Sequence, residues 1–307
     1  MLDIRNLAGN TAVSRGEPWG DREVVLEFAA TVFRFHGLSG AQASRIEKRY
    51  GRVVSETVAN AEAVHTQVCK APLPVHSDPL RYSTNNLYTP LTLHDSAGLE
   101  VEGFGFQARI DLTPDFHGLL WGEDEALLAR SIVFENYLRT AAAYAALRRE
   151  GLFLHSAGVV VNDKAWLFLG RSGAGKSTLS RLALQEGAAV LSDDANILLP
   201  DVRGCYRAGP VPFAGELGDV NRDARQDYPV AGLFWLEQSD RPACLSMPPA
   251  VQWARVMACC PVVNVDPHRG GALLSVLEKL LRQLPMRVLR FRKDQTFIAI
   301  VKSIEEG

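Results

Sequence analysis

The chain has 307 residues, of which 47% are hydrophobic and 22% charged, so it is long enough for one large or two ordinary domains with a substantial core. Its 33 Lys and Arg residues nearly balance 35 Asp and Glu residues, and a formal net charge of −2 excludes a global electrostatic attraction to nucleic acid or an anionic membrane. The sequence contains no run of about 18 apolar residues that would predict a membrane-spanning helix. We therefore expect neither a nucleic-acid nor a membrane partner.

The cysteines indicate a reducing compartment. There are five, an odd number, and no two form a Cys-x-x-Cys pair, so neither a disulfide framework nor a zinc site is expected. The N-terminal sequence MLDIRNLAGN lacks the basic head and apolar core of a signal peptide. These features together predict a cytoplasmic location.

The N-terminal part of the chain predicts an α+β module over residues 1–121. Residues 22–37 are rich in strand formers, and residues 38–51 predict a short helix that ends at Gly51. Residues 91–113 predict a hairpin followed by another strand. No catalytic constellation occurs before residue 120, so the role of this module stays open.

The next segment predicts one long helix, over residues 122–151. Acidic residues begin the segment, basic residues precede Gly151, and apolar residues recur at helical spacing between them. We expect residues 122–150 to form a bridging helix between the N-terminal module and a catalytic domain over residues 151–307.

The catalytic domain begins with two apolar runs, 152–161 and 165–170, which a tight polar turn joins as a predicted hairpin. A glycine-rich phosphate loop follows directly, with Gly170, Gly175, Lys176 and Ser177 at the characteristic spacing. Backbone N–H groups of such a loop and the N-terminus of the next helix bind phosphate oxygens. Lys176 would neutralise the β- and γ-phosphates of ATP, and the Ser177 hydroxyl would ligate Mg²⁺. The predicted nucleotide-binding residues are Gly170, Arg171, Ser172, Gly173, Ala174, Gly175, Lys176, Ser177 and Thr178.

Two adjacent aspartates follow the next apolar strand. Asp193 lies 17 positions after Lys176, and Asp194 comes next. Neighbouring carboxylates repel each other unless a cation or a proton is shared, and Mg²⁺ beside Ser177 would supply that compensation. One carboxylate can then hold the metal while the other accepts a proton from an attacking hydroxyl. We place Asp194 with Ser177 on the metal, although the sequence does not distinguish base from ligand.

Three further residues are candidates for contacts with substrate. His155 lies on the strand before the phosphate-loop hairpin, where it would face phosphate or substrate if the hairpin folds as predicted. Arg207 and Glu216 belong to residues 206–219, a segment rich in glycine and proline that predicts a long binding loop or lid. An ordinary surface connection is the alternative for this segment.

The order LHSAGVVV, hairpin, LFLGRSGAGKST, helix, AAVLSDDANIL resembles the catalytic domain of HPr kinase/phosphorylase and its relatives, over roughly residues 150–200. The resemblance implies an α/β fold with a P-loop core and a mixed sheet of the HPr kinase/phosphoenolpyruvate carboxykinase type, beside the N-terminal α+β module. It implies ATP and Mg²⁺ as ligands, with His155, Lys176, Asp193 and Asp194 as catalytic residues. It also implies a homo-oligomer.

The sequence departs from HPr kinases in two places. Position 178 is Thr where those enzymes usually have Glu, and AGPVPFAGELG replaces their later Arg-Gly-Leu-Gly signature. These differences argue against HPr as the acceptor and against a reverse phosphorylase activity. We therefore expect a kinase acting on a hydroxyl of free serine, of a peptide or protein, or of another small molecule. A phosphate-loop ATPase, a regulatory nucleotide-binding protein and a carboxykinase are the alternatives.

Overall fold

The computed structural model describes residues 16–55, 63–73, 91–103, 105–213, 215–218, 226–294 and 296–306. Within these ranges the protein is a mixed α/β structure with two sheets. None of the helices in the same ranges combines the length and apolarity needed to cross a bilayer.

The first sheet contains eight strands and one flanking helix. Its elements are β1 (Glu17–Pro18), β2 (Arg22–Phe28), β3 (Thr31–Leu38), α1 (Gly40–Tyr50), β4 (Ala63–Lys70), β5 (Leu91–His94), β6 (Gly98–Gly103), β7 (Phe106–Asp111) and β8 (His117–Gly122). The strand order is β2-β3-β4-β8-β7-β6-β5, and β1 pairs with β4. The predicted strands, hairpin and short helix of this half are confirmed. Ser39 and Gln42 start α1 with a reciprocal capping box, as expected for a helix that follows a serine.

The prediction of one helix over residues 122–151 is wrong. Gly122 is still the last residue of β8, where it pairs with Lys70 of β4, and this pairing outweighs the helical pattern of the sequence. A short α2 (Glu125–Leu128) follows, and Arg130 has an extended backbone before α3 (Ser131–Arg148) begins.

Helix α3 is buried around most of its circumference, which is typical of a helix inside a core rather than on a surface. On one side the Phe134 ring packs against Phe35 of β3, with ring centroids 4.6 Å apart, and the Tyr137 hydroxyl shares a hydrogen bond of 2.8 Å with Thr66 of β4. On another side α3 contacts the second sheet, and one continuous apolar cluster includes residues of both sheets. The helix is therefore a common core element and not only a bridge.

The second sheet carries the glycine-rich loop, residues 170–178, that the sequence predicts to bind phosphate and that is called the phosphate loop below. Its elements are β9 (Leu152–Val161), β10 (Lys164–Leu169), α4 (Lys176–Gln185), β11 (Ala189–Ser192), β12 (Ala195–Pro200), β13 (Tyr206–Ala208), β14 (Tyr228–Gln238), β15 (Ala243–Ser246), α5 (Pro249–Ala258), α6 (Gly270–Gln283), β16 (Arg287–Phe291) and α7 (Thr296–Glu306). The antiparallel β9–β10 hairpin is confirmed, and so are α4 and β11 after it.

Strand β10 lies between β9 and the parallel strand β14, and pairing through β12 and β13 closes these five strands into a ring. The parallel strands β10, β14 and β16 end at the same side of the sheet. On one face of the sheet, Leu179 of α4 and Phe297 of α7 pack with Phe168 and Phe234 of the strands. Helices α3, α5 and α6 cover the other face. The phosphate loop therefore emerges from the carboxyl end of a strand that has hydrogen-bonded neighbours on both sides.

Candidate active site

The phosphate loop joins the end of β10 to the start of α4. Gly173 and Gly175 have φ angles of +76° and +106°, in the left-handed region that glycine adopts without strain. A Cβ atom at Gly175 would lie 2.7 Å from Cζ of Phe291, at the end of β16. The side-chain amide of Gln238, at the end of β14, donates to the carbonyl oxygen of Gly173 at 3.0 Å. The ends of the two parallel strands thus fix the loop in front of the α4 N-terminus.

Lys176 is buried at the first position of α4. Its Nζ donates to the carbonyl oxygens of Gly170, at 3.1 Å, and Arg171, at 3.4 Å. Burial lowers the pKa of this ammonium group, while the nearby charges of Asp194, Glu216 and Asp193 raise it in part. Among the described residues, the hydrogen-bond partners of this ammonium group are thus carbonyl oxygens of the loop, which a phosphate can replace with stronger charge-assisted bonds.

Asp193 is the more buried of the two aspartates, with 2% of its surface exposed. Its Oδ2 accepts a hydrogen bond from the backbone N–H of Leu217 at 3.2 Å, and its Oδ1 is buried without a hydrogen-bond partner in the described part of the chain. Burial raises the pKa of this carboxyl group, and hydrogen bonding by the Leu217 N–H and Ser177 offsets part of the increase. A buried carboxylate oxygen without a partner is costly, so this position is suited to a cation or a proton.

Asp194 has the opposite environment. Its Oδ2 accepts a hydrogen bond of 2.6 Å from Nη1 of Arg139, and its Oδ1 lies 3.1 Å from Nδ1 of His155. Burial alone would raise the pKa of Asp194, but the hydrogen bond from His155 and the charge and hydrogen bond of Arg139 outweigh it and hold the pKa well below the usual range. Asp194 is therefore an ionised carboxylate with one partner on each oxygen.

His155 is the more accessible member of this pair, with 43% of its side chain exposed. Its backbone N–H donates to the carbonyl oxygen of Cys259 at 2.8 Å, which fixes the start of β9 against the end of α5. Because an ionised carboxylate only accepts hydrogen bonds, the Nδ1 atom that faces Asp194 carries a proton. In the neutral ring, Nε2 is then the free acceptor.

Sequence reasoning missed Arg139. The residue lies on α3, four positions after Glu135, and such a spacing is an ordinary surface ion pair in many helices. Within residues 133–147 of α3, however, only Glu135 and Arg139 are not fully buried. The available signal in the sequence was a pair of charged residues, four positions apart, within a largely apolar stretch of the helix.

The structure brings Glu216 close to the site and keeps Arg207 outside it. Residues 215–218 form a tight turn whose Leu217 N–H binds Asp193, and the Glu216 charge acts on Lys176. Arg207 lies on β13 opposite Leu199, and its guanidinium donates to the carbonyl oxygen of Asp227. Leu199 lies four residues along β12 from Ala195, which pairs with His155. The backbone of Arg207 is therefore about 13 Å from that of His155 along the sheet. Ala214 and Asp219 of the predicted loop lie outside the described residues.

The residues at the loop are compatible with Mg²⁺ and a nucleoside triphosphate. Across the described ranges, no three His, Cys, Asp or Glu side chains converge on a point that could hold a metal ion. A Mg²⁺ ion in a nucleotide site needs only one or two protein ligands, because phosphates and water supply the others. The Asp193 carboxyl group, which Ser177 hydrogen-bonds and whose Oδ1 has no partner among the described residues, meets that smaller requirement.

Comparison with known proteins gives one partial match. A family described as SynChlorMet cassette protein ScmC matches residues 129–266, somewhat less than half of the chain. The matched part runs from just before α3 to beyond α5, and it contains the phosphate loop, Arg139, His155 and both aspartates. None of the curated protein sequences compared with the chain matches it significantly. The chain is thus similar to ScmC proteins across its candidate active site.

Proposed function

We propose that this protein is an ATP-dependent kinase that transfers the γ-phosphoryl group to a hydroxyl of an acceptor. One observation carries the proposal: of two adjacent carboxyl groups beside the loop, Asp194 is held between Arg139 and His155, whereas Asp193 has a buried oxygen without a hydrogen-bond partner among the described residues. The pKa values of the two groups are shifted in opposite directions accordingly. Environments that separate the pKa values of neighbouring acids are typical of sites where one group handles charge and the other a proton. The sequence resemblance to HPr-kinase-like proteins supports the same reaction class and a related P-loop fold.

The phosphate loop binds the triphosphate in this proposal. Backbone N–H groups between Gly170 and Thr178 and the α4 N-terminus contact the phosphate oxygens. The Lys176 ammonium group leaves the carbonyl oxygens of Gly170 and Arg171 and pairs with the β- and γ-phosphates. Ser177 and Asp193 would hold Mg²⁺, which would neutralise charge on the phosphates. The geometry thus favours Asp193 over Asp194 as the metal ligand.

The Asp194–His155 pair accepts the proton. Nε2 of His155 takes the proton of the acceptor hydroxyl as the new O–P bond forms and the bond between the γ-phosphorus and the β–γ bridging oxygen breaks. ADP leaves with that oxygen, and the phosphorylated acceptor leaves with the γ-phosphoryl group. Asp194 stabilises the imidazolium that forms, and Arg139 keeps Asp194 ionised. Proton acceptance by a positioned base is worth about 10²- to 10⁴-fold in rate.

The deciding experiment follows ATP consumption in the presence of Mg²⁺, with and without pools of hydroxyl acceptors. The pools are free hydroxy amino acids, serine-containing peptides and small polyols, tested with wild type, Asp193→Ala and His155→Ala. The kinase proposal expects ATP to remain intact until an acceptor is added, and both variants to lose turnover by about 100-fold or more. Asp240→Ala, a change at an exposed aspartate, serves as the matched control.

Other outcomes would favour the alternatives. Steady phosphate release by wild type without an acceptor would indicate an ATPase. ATP binding without consumption in every pool would indicate a regulatory nucleotide-binding protein. Either result would overturn the kinase proposal.

A further inference from the structure

Arg139 is fixed by a set of contacts that extends away from the site. Its Nε and Nη2 donate to Oε1 of Glu135 at 3.0 and 2.8 Å, while its Nη1 binds Asp194. The guanidinium also lies over the Phe213 ring, 5.1 Å from the ring centroid. Its orientation is thus set by an anion on each side and an aromatic face.

Both supports of Arg139 are themselves anchored in the N-terminal half. Oε2 of Glu135 pairs with Nη2 of Arg49 at 3.2 Å, and Arg49 belongs to the last turn of α1. The Phe213 ring packs edge-to-face against Phe28 of β2, with ring centroids 5.6 Å apart. A series of contacts therefore joins α1 and β2 to Asp194 and, through Asp194, to His155.

We infer that the N-terminal half orients the reactive imidazole through Arg139, which acts as a positioning residue. This inference rests on the proposed function, because it concerns the same Asp194–His155 pair. Asp194 has two oxygens with one partner each, so its plane is determined only while both Arg139 and His155 are bound. Loss of Arg139 leaves the carboxylate free to rotate, and His155 then loses the contact that directs Nε2 toward the acceptor.

Helix α1 is the outer end of this series of contacts. Arg49 is one-third exposed, whereas Glu135 is mostly covered. Loss of the contact between Arg49 and Glu135 removes a cation that holds this carboxylate beside Arg139. The N-terminal module is accordingly assigned a role in setting the turnover of the kinase, and not in binding ATP.

Steady-state kinetics with four substitutions test the inference. Arg139→Gln is expected to lower kcat by about 10- to 100-fold while the KM for ATP stays within about twofold, because misplacement of a reacting group affects the chemical step. Arg139→Lys, which keeps the charge, should recover part of the loss. Glu135→Gln should lower kcat less than Arg139→Gln does, and Arg49→Gln should lower it less than Glu135→Gln does. Arg149→Gln, at the exposed end of the same helix, is the control.

Two results would overturn the inference. A kcat of Arg139→Gln within twofold of wild type would show that the contact does not position the pair. An equal rise in the KM for ATP would show that Arg139 binds the nucleotide instead. If Arg139→Gln does not fold, Arg49→Gln remains measurable, since its substitution leaves the Arg139–Asp194 contact in place.

A spectroscopic measurement separates this inference from the proposed function. ¹⁵N NMR of the His155 ring at alkaline pH reports which nitrogen carries the proton, with no acceptor or ATP present. Wild type is expected to carry it on Nδ1, and Arg139→Gln to show a mixture of the two tautomers. An unchanged Nδ1 tautomer in Arg139→Gln would refute the positioning role whether or not the protein is a kinase. A changed tautomer with no kinase activity in wild type would refute only the proposed function.

Discussion

Asp193 and Asp194 are neighbours in sequence, yet their carboxylates have different partners and opposite pKa shifts. Asp194 is held between Arg139 and His155, whereas Asp193 accepts a hydrogen bond from the Leu217 N–H and has one buried oxygen for which the described residues offer no partner. Two consecutive residues at the end of β11 thus differ: the partners of Asp194 lower its pKa and favour the ionised form, whereas burial raises the pKa of Asp193 and disfavours it. Each aspartate therefore has its own expected effect on stability.

Substitution of Asp193 by Asn is expected to stabilise the ligand-free protein at pH 7, by about 1 kcal/mol or roughly 2 °C in Tm. The raised pKa means that the folded state disfavours the ionised form of Asp193. The contribution of protonated Asp193 to stability is therefore complete below the unfolded pKa of about 4. It is lost as the pH rises through the folded pKa. Urea unfolding of both proteins at pH 7 and pH 3 measures this. The advantage of Asp193→Asn should be present at pH 7 and absent at pH 3, and a variant less stable at pH 7 would contradict it.

Substitution of Asp194 by Asn should have the opposite effect and destabilise the protein at pH 7 by about 1–2 kcal/mol. The lowered pKa means that the contribution of Asp194 is present above the unfolded pKa of about 4 and is lost as the pH falls through the folded pKa. The difference between wild type and variant should therefore shrink as the pH is lowered below 4. Asp240→Asn provides the baseline for an exposed aspartate, and a difference independent of pH would exclude the charge as its cause.

Substitution of Lys176 by Met should weaken ATP binding by about 10- to 100-fold, since a charge-assisted contact to phosphate contributes about 1.5–3 kcal/mol. The fold should be retained, because the present partners of the ammonium group are two carbonyl oxygens of its own loop. Isothermal titration calorimetry with ATP and Mg²⁺ gives the affinity. Lys302→Met, on an exposed position of α7, is the matched control, and equal affinities for the two variants would refute the role of Lys176.

Alanine at Gly175 should cost about 3 kcal/mol of unfolding free energy, whereas alanine at Gly173 should cost about 1. Both backbones have positive φ, but only at Gly175 would the new Cβ meet another atom, Cζ of Phe291 at 2.7 Å. The space around Gly173 is open to at least 4 Å. Chemical denaturation of the pair separates backbone strain from the steric contact with β16. Equal losses would show that Phe291 moves aside freely.

Local signals in the sequence predicted the central part of the fold. Alternating apolar runs gave the β9–β10 hairpin, glycine spacing gave the phosphate loop, and the short apolar strand before Asp193 gave β11. These features depend on neighbours within a few residues, which is why they could be read directly. The break at Arg130 and the pairing of Gly122 in β8 depend on another strand, so the helical pattern was misleading there.

The site was predictable only where its residues belong to a motif. Lys176, Ser177 and the two aspartates follow from spacing, and the structure brings His155 to Asp194. The contact between Arg139 and Asp194 could not be predicted, because the two residues are 55 positions apart, with Arg139 on α3 and Asp194 after β11. Arg207 was selected for its charge within a loop, but it belongs to a strand that directs it to the Asp227 carbonyl.

The burial of α3 determines how the chain can be divided. The ScmC match begins at residue 129, so a fragment cut there would keep α3 but lose β3 and β4, which cover Phe134 and Tyr137. Such a fragment would expose a continuous aromatic patch, and it would be prone to aggregate. Any exchange of the N-terminal half for another module must therefore supply a complementary apolar face as well as a partner for Glu135. The folding unit of this protein is therefore larger than the segment that contains the candidate active site.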